Sequence, residues 1–172
     1  MQEQEERISI KNAGVAILSP YLSRLFGLLG LTKDNQFVNE DSCVRANFLI
    51  QYLIYGEEKE YPEHELTLNK IMTGAIHIPL PLSVELNEEE KNTCHSLLEG
   101  VKNNWEKLKN TSIEGLREGF LNRDGILEKK ADHWELNVEQ KAYDMLLDSL
   151  PWSYSPIRYA WMDTYINVKW RN

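Results

Sequence analysis

The side chains best equipped for chemistry are few and scattered. His64 stands in the run Glu63-His64-Glu65, with Glu57, Glu58 and Glu60 just upstream, which is the composition of a metal or general-base cluster. Metal binding needs ligands that converge, and no H-E-x-x-H or comparable spacing is present. The run reads instead as the solvated acidic start of a helix, where carboxylates meet the positive end of the dipole. His77, His95 and His133 are dispersed and read as surface or boundary histidines. Asp132, Asp144 and Asp148 could supply a carboxylate pair for acid–base work, yet Asp144 and Asp148 at i, i+4 fit a solvent-facing helix edge equally well. Gly115-Leu-Arg-Glu-Gly119 lies inside a helical pattern, where small residues permit close packing rather than phosphate binding. No G-x-S-x-G elbow, P-loop or G-x-G-x-x-G occurs. No catalytic, cofactor-binding or metal-ligating residue is assigned, and the chain is expected not to be an enzyme.

The tail is the most unusual feature. Residues 152–170 hold Trp152, Tyr154, Tyr159, Trp161, Tyr165 and Trp170. One reading is a core layer of a strand region. The other is a protein-docking surface, because Trp, Tyr and Arg are enriched where partners bind. The two do not exclude each other, and Trp152, Tyr154, Tyr159, Trp161 and Trp170 are the candidate partner-docking residues.

The elements that must hold these side chains follow from periodicity. Ile8 and Ile10 alternate with polar residues, as in a short edge strand. Ser19-Pro20 reads as N-cap and first helical residue, followed by the stripe Leu22, Leu25, Phe26 and Leu29 and a stop at Gly30. Thr32–Asn39 reads as a loop. Asn39 caps a helix over 41–55 whose wide apolar stripe makes it the centre of the core. Pro62 opens a helix over 63–73, and Pro79-Leu-Pro81 enforces an extended link. Asn87 with Glu90, and Thr111 with Glu114, read as capping boxes for two more helices. After Gly125 the period falls to two at Trp134, Leu136 and Val138, with a hairpin partner at Ile126 and Leu127. Tyr143–Leu150 is helical again, and Ile166, Val168 and Trp170 alternate. The expected fold is α+β in one domain, 1–172: helices over about 19–123, and a small, mainly antiparallel sheet over about 125–170.

The chain has 172 residues, with 19 Lys+Arg against 27 Asp+Glu and a formal net charge of −8. That balance speaks against a nucleic-acid partner, whose phosphates need a basic face. No apolar run approaches the roughly 20 residues of a membrane span. The acidic, polar start MQEQEER lacks the regions of a signal peptide, so a cytoplasm is the expected place of synthesis. Cys43 and Cys94 read as buried free thiols.

Several segments together resemble a known family. They are Asn12-Ala-Gly14 before Ser19-Pro-Tyr-Leu-Ser-Arg-Leu-Phe26, Arg45-Ala46, Leu49-Ile-Gln-Tyr-Leu53 and Gly56-Glu57. Pro62-Glu63, Leu68-Asn-Lys70, Gly74 and Pro79-Leu-Pro81 follow, then Asn110-Thr-Ser112, Gly115-Leu-Arg-Glu118 and Phe120-Leu121. Tyr143-Asp144, Leu150-Pro-Trp152, Ile157 and Trp161-Met162 complete the series. In this order they resemble the C-terminal region of the tape measure proteins of contractile injection systems, phage-tail-like particles of bacteria. The resemblance implies a structural role without catalytic residues or cofactors. It implies protein partners within the particle (tube, hub or spike, or terminator), and leaves a homo-oligomer open. Members of that family are usually much longer, and a helix rises only about 1.5 Å per residue. The chain is therefore expected to be the globular anchor rather than the ruler, as part of a longer protein or as a short member. An assembly chaperone, with the acidic segment Glu57–Glu65 as its contact, and a small ligand-binding protein or enzyme are the alternatives.

Overall fold

The computed structural model describes residues 6–171. Strand β1, Arg7–Ile10, leads into a tight 3-10 turn, Ala13–Leu18, that is buried throughout and runs directly into α1, Ser19–Leu28. Ser19 is thus the first residue of the helix and caps nothing with its side chain, contrary to the N-cap expectation. The 3-10 turn already supplies the carbonyls and geometry that a capping residue would otherwise provide. Gly30 ends the helix region with φ 72°, as expected.

The expected loop contains a minimal hairpin, β2 Thr32–Lys33 and β3 Gln36–Phe37. Asp34 and Asn35 both take positive φ, the geometry of the primed turns that match strand twist. Helix α2, Glu40–Tyr55, is capped by Asn39, whose side chain accepts from the Ser42 N–H at 2.7 Å. It is the central helix: Ala46 to Ile54 is buried without a break. Its C-terminal carbonyls are met by a buried arginine. Arg117 donates from Nε to the Leu53 carbonyl at 3.0 Å and from Nη2 to that of Tyr52 at 3.3 Å. Gly56, at φ 69°, lets the guanidinium lie against the helix end, since a Cβ there would sit 2.5 Å from Arg117 Nη1.

Helix α3, Thr67–Thr73, follows a 3-10 turn over Glu63–Leu66 and stops at Gly74, again with positive φ. A buried amide network ties α2 and α3 to the chain just after β1. Asn12 donates to Gln51 at 2.9 Å and to Asn69 at 2.8 Å, while Asn69 donates to the Asn47 carbonyl and to Gln51, both at 2.9 Å. Helix α4, Glu88–Asn104, begins with the full capping box of Asn87 and Glu90. Glu90 is also held by Arg45, whose Nε donates at 2.9 Å. The next cap is Ser112, not Thr111: its hydroxyl accepts from Gly115 N–H at 2.9 Å ahead of α5, Ile113–Leu116. The chain then widens into a π-turn, Arg117–Leu121.

Strands β4, Gly125–Lys129, and β5, Trp134–Val138, form the expected antiparallel hairpin. The sheet order is β1-β4-β5-β6, with β6 at Ile166–Lys169. The fold is α+β, but the sheet is mixed: β6 runs parallel to β5. The reason lies in the connection. Residues 139–165 cross from one end of the sheet to the other, so the chain re-enters in the same direction. Trp134, Leu136 and Val138 alternate inward, as the period of two requires.

The expected Gly115/Gly119 packing is only half present. A Cβ at Gly115 would meet Thr111 at 2.6 Å, whereas one at Gly119 would meet nothing within 4 Å. The tightest approach is at Gly14, where a Cβ would fall 1.7 Å from the Phe120 carbonyl oxygen.

Candidate docking surface

The aromatic tail wraps the helical part, and Trp152, Tyr159, Trp161 and Trp170 each spend the polar tip on an internal partner. Trp152 Nε1–H donates to the Ile17 carbonyl at 2.9 Å, and Tyr159 O–H to that of Ser19 at 2.5 Å. Trp161 Nε1–H donates to the Met72 carbonyl, at the end of α3, at 2.8 Å. The Met72 carbonyl lies in the last turn of α3, where backbone acceptors are short of partners, while those of Ile17 and Ser19 lie in the 3-10 turn and at the start of α1. The rings also pack on one another. Trp161 stacks on Tyr159 with centroids 4.9 Å apart and leans on Phe37 at 5.0 Å, while Tyr21 meets Trp152 edge-on at 5.1 Å. Burial pushes the Tyr159 hydroxyl well above its ordinary pKa, so it stays a protonated donor.

Trp170 lies deeper, 1% exposed, with Tyr154 edge-on against it at 5.8 Å. Its Nε1–H donates to Asp144 at 3.1 Å. Asp144 is itself 1% exposed, so the solvent-facing reading of Asp144 and Asp148 is wrong for the first residue. Two oxygens of Asp144 receive the Arg123 guanidinium, Nη1 at 2.9 Å and Nη2 at 2.6 Å, and Lys141 N–H at 2.9 Å. Arg123 also donates to the Gly119 and Glu139 carbonyls, both at 2.9 Å, so the pair is saturated with hydrogen bonds. Asp148 remains outside and pairs with Arg171 at 3.1 Å. Residues 144–149 form a 3-10 turn rather than an α-helix, which separates the two carboxylates.

Trp152, Tyr154, Tyr159 and Trp161 are half-buried; Trp170 is buried. The bodies of these rings lie against the main core. The four histidines lie on separate segments of the chain. His133 stacks on Tyr165 at 4.8 Å and faces Asp132 at 2.7 Å, His95 shares a hydrogen bond with Tyr52 at 3.2 Å, and His64 and His77 are exposed. Among the described residues no three His, Cys, Asp or Glu side chains are grouped to hold a metal ion. Both cysteines are free and buried. No helix among those residues is long and apolar enough to cross a membrane.

The segments that carried the family resemblance meet in space. Gly14 lies on Phe120-Leu121, Gly56 on Arg117, and Asn12 on Gln51 and Asn69. Their work is to lock one part of the fold on another. A family model described as contractile injection system tape measure protein matches residues 1–170. The chain belongs to this family. No curated protein and no solved structure matches it. A tape measure protein is a structural component of its particle, so the side chains of interest here are those that could meet other particle proteins. Sequence reasoning missed Arg123 and Asp144 as the brace behind the aromatic surface. The available signal was an arginine between a helix pattern and Asp-Gly, followed by an aspartate beside Tyr143.

Proposed function

We propose that this chain is the globular anchoring domain of a tape measure protein, docking on tube-end or baseplate components and so helping to set tube length. The observation that carries the reading is the family match over residues 1–170 on a fold braced from end to end. The longest helix among the described residues, α4, has 17 residues, about 25 Å at 1.5 Å per residue, which is too short to be a ruler. What the fold does offer is a rigid body with half-buried aromatic rings. Trp152, Tyr154, Tyr159 and Trp161 are the docking residues in this reading, with buried Trp170 supporting them from behind. Such rings present large area at little cost in side-chain entropy. Assembly takes place in the bacterial cytoplasm, and the domain then stays in the particle.

The test is affinity capture from a particle-producing cell, read by mass spectrometry, with the chain and its Trp152→Ala/Tyr154→Ala variant. Recovery of tube, hub, spike or terminator protein by the parent and not by the folded variant is expected. Recovery of no particle component would overturn the anchoring role. Equal recovery by the variant would move the docking site elsewhere.

A further inference from the structure

Residues 57–86 leave the end of α2 at Gly56 and rejoin the fold at Asn87, the cap of α4. Between those points the chain holds one 3-10 turn and α3, with irregular links on either side. Among the described residues, no backbone–backbone hydrogen bond joins this segment to the rest of the chain. Its own bonds close it on itself. Tyr61 N–H donates to the Leu82 carbonyl at 2.7 Å, Leu80 N–H to Glu63 at 3.1 Å, and Leu86 N–H to Glu58 at 3.1 Å. The last of these draws the two ends together, and Glu58 also pairs with Lys91 on α4. The hydrogen bonds that do cross to the rest of the molecule each use a side chain. Cys43 Sγ donates to the Thr73 carbonyl at 3.3 Å, Arg45 to that of Glu85 at 3.0 Å and Trp161 to that of Met72 at 2.8 Å. The buried amide network supplies the others.

The segment covers one face of α2. Val44, Phe48, Gln51 and Tyr55 follow the spacing i, i+4, i+7, i+11 and share that face. Phe48 packs with Tyr61 and Leu66 of the segment in an apolar cluster separate from the main core, with Val44, Tyr55, Leu80 and Val84 around it. Leu68, Ile71 and Met72 reach the main core and hold the segment closed. The rest of the interface is polar, and it is not fully satisfied. Asn12 Oδ1 and Asn47 Oδ1 are buried and accept no hydrogen bond. Turning the amides would not help. The Cys43 carbonyl, at 2.9 Å, fixes Asn47 Nδ2, and the Asn47 carbonyl, at 2.9 Å, fixes Asn69 Nδ2. Gln51 must then present its oxygen to Asn69, and Asn12 must turn its NH2 to that same oxygen. A buried acceptor without a donor favours any state in which water reaches it.

We propose that residues 57–86 form a strap that lifts off α2 as one unit, turning about Gly56 and Asn87, while the main core stays folded. Lifting breaks no backbone bond to the rest of the fold and gives water to two unsatisfied acceptors, so it costs less than global unfolding. The strap moves as a unit because Tyr61–Leu82 and Glu58–Leu86 tie its two limbs together. The open state uncovers the α2 stripe that Tyr61 and Leu66 occupy when the strap is closed. It also frees Cys43, which is bonded to the Thr73 carbonyl, whereas Cys94 lies in the main core on α4.

The test follows hydrogen exchange of the whole chain, amide by amide, by NMR in urea below the global midpoint. The amides of Ile71, Met72 and Ala75 are expected to exchange at least about 100-fold faster than those of Leu49–Leu53 in α2. They should share one urea dependence, shallower than the global one, because only part of the surface is exposed. In the same urea, Cys43 should react with a thiol reagent at least about tenfold faster than Cys94. Leu66→Ala should speed Cys43, because the packing of Leu66 is lost on lifting. Val168→Ala, on β6, should speed Cys94 alone, because β6 stays folded in the open state. Exchange of α3 at the global rate, equal rates at the two thiols, or a Val168→Ala variant that speeds both alike would overturn the strap. A fast Cys43 that ignores Leu66→Ala would assign its exposure to fraying of the first turn of α2, and would overturn it too. The exchange data come from the parent chain, so the test stands even if a variant does not fold. None of these outcomes touches the anchoring role, which is read from particle components.

Discussion

Replacing Asp144 by asparagine keeps the shape of the side chain and removes its charge. In the native fold the carboxylate takes two bonds from Arg123 and one each from Lys141 N–H and Trp170 Nε1–H. An amide in its place must turn an NH2 toward at least one of these donors. The least costly orientation sets it against Arg123 Nη2, now at 2.6 Å from Oδ1, and leaves the guanidinium buried without a counter-charge. Breaking a fully buried pair this way costs about 3–5 kcal/mol. For 172 residues the unfolding entropy near the midpoint is about 0.36 kcal/mol/K, so Tm should fall by about 8–14 °C. The assay is calorimetry or circular dichroism at pH 7, repeated down to pH 2. Burial by itself raises the Asp144 carboxyl, but the bonds from Arg123, Lys141 N–H and Trp170 outweigh it and hold the group below its ordinary 3.8. A carboxyl with a lowered folded value contributes its stability above the unfolded value and loses it as pH falls through the folded one. The gap in Tm between parent and variant should therefore be constant from pH 7 to about 5 and narrow below about 4. A loss under about 2 °C at pH 7, or a gap that widens in acid, would refute the reasoning.

Three further outcomes follow from the packing. Gly14→Ala places a methyl 1.7 Å from the Phe120 carbonyl oxygen, so the π-turn must move; a loss of about 3 kcal/mol or outright misfolding is expected in urea titration. Asn69→Ala strips the acceptor from Asn12 and the donor from Gln51 and the Asn47 carbonyl, all buried, and should cost about 2–4 kcal/mol by the same measurement. Burial pushes the Cys94 thiol up to about 12 and raises that of Cys43 as well, so neither should react with an aromatic disulfide reagent at pH 8 until urea is added, when two equivalents appear.

The features legible in the chain were those whose cause is local. Asn39 and the Asn87–Glu90 box cap their helices because capping links residues three apart. Gly30, Gly56 and Gly74 stop helices because positive φ is a property of one residue. The α2 stripe and the β4–β5 alternation came through because one face of each must be buried, and the period states which. Where a local rule had a competitor, the reading slipped by a residue or an element. Ser19 lost its capping role to the 3-10 turn before it, Ser112 took the cap from Thr111, and the turn at Asp34-Asn35 made a hairpin of a polar loop. The aromatic tail announced itself by composition, but its partners lie 89 to 140 residues away in the chain, at Met72, Ile17 and Ser19.

By itself, the sequence determined an α+β fold, several of its helix ends, its free thiols and, through an ordered set of segments, its family. The tertiary structure decided which charges are buried, where the tail is pinned, and that β6 runs parallel to β5. The division has one physical cause. Capping, turns and amphipathic periods are set by neighbours within a few residues. Burial of Arg123 with Asp144, or the pairing of β6 with β5, depends on groups brought together only when the whole chain folds.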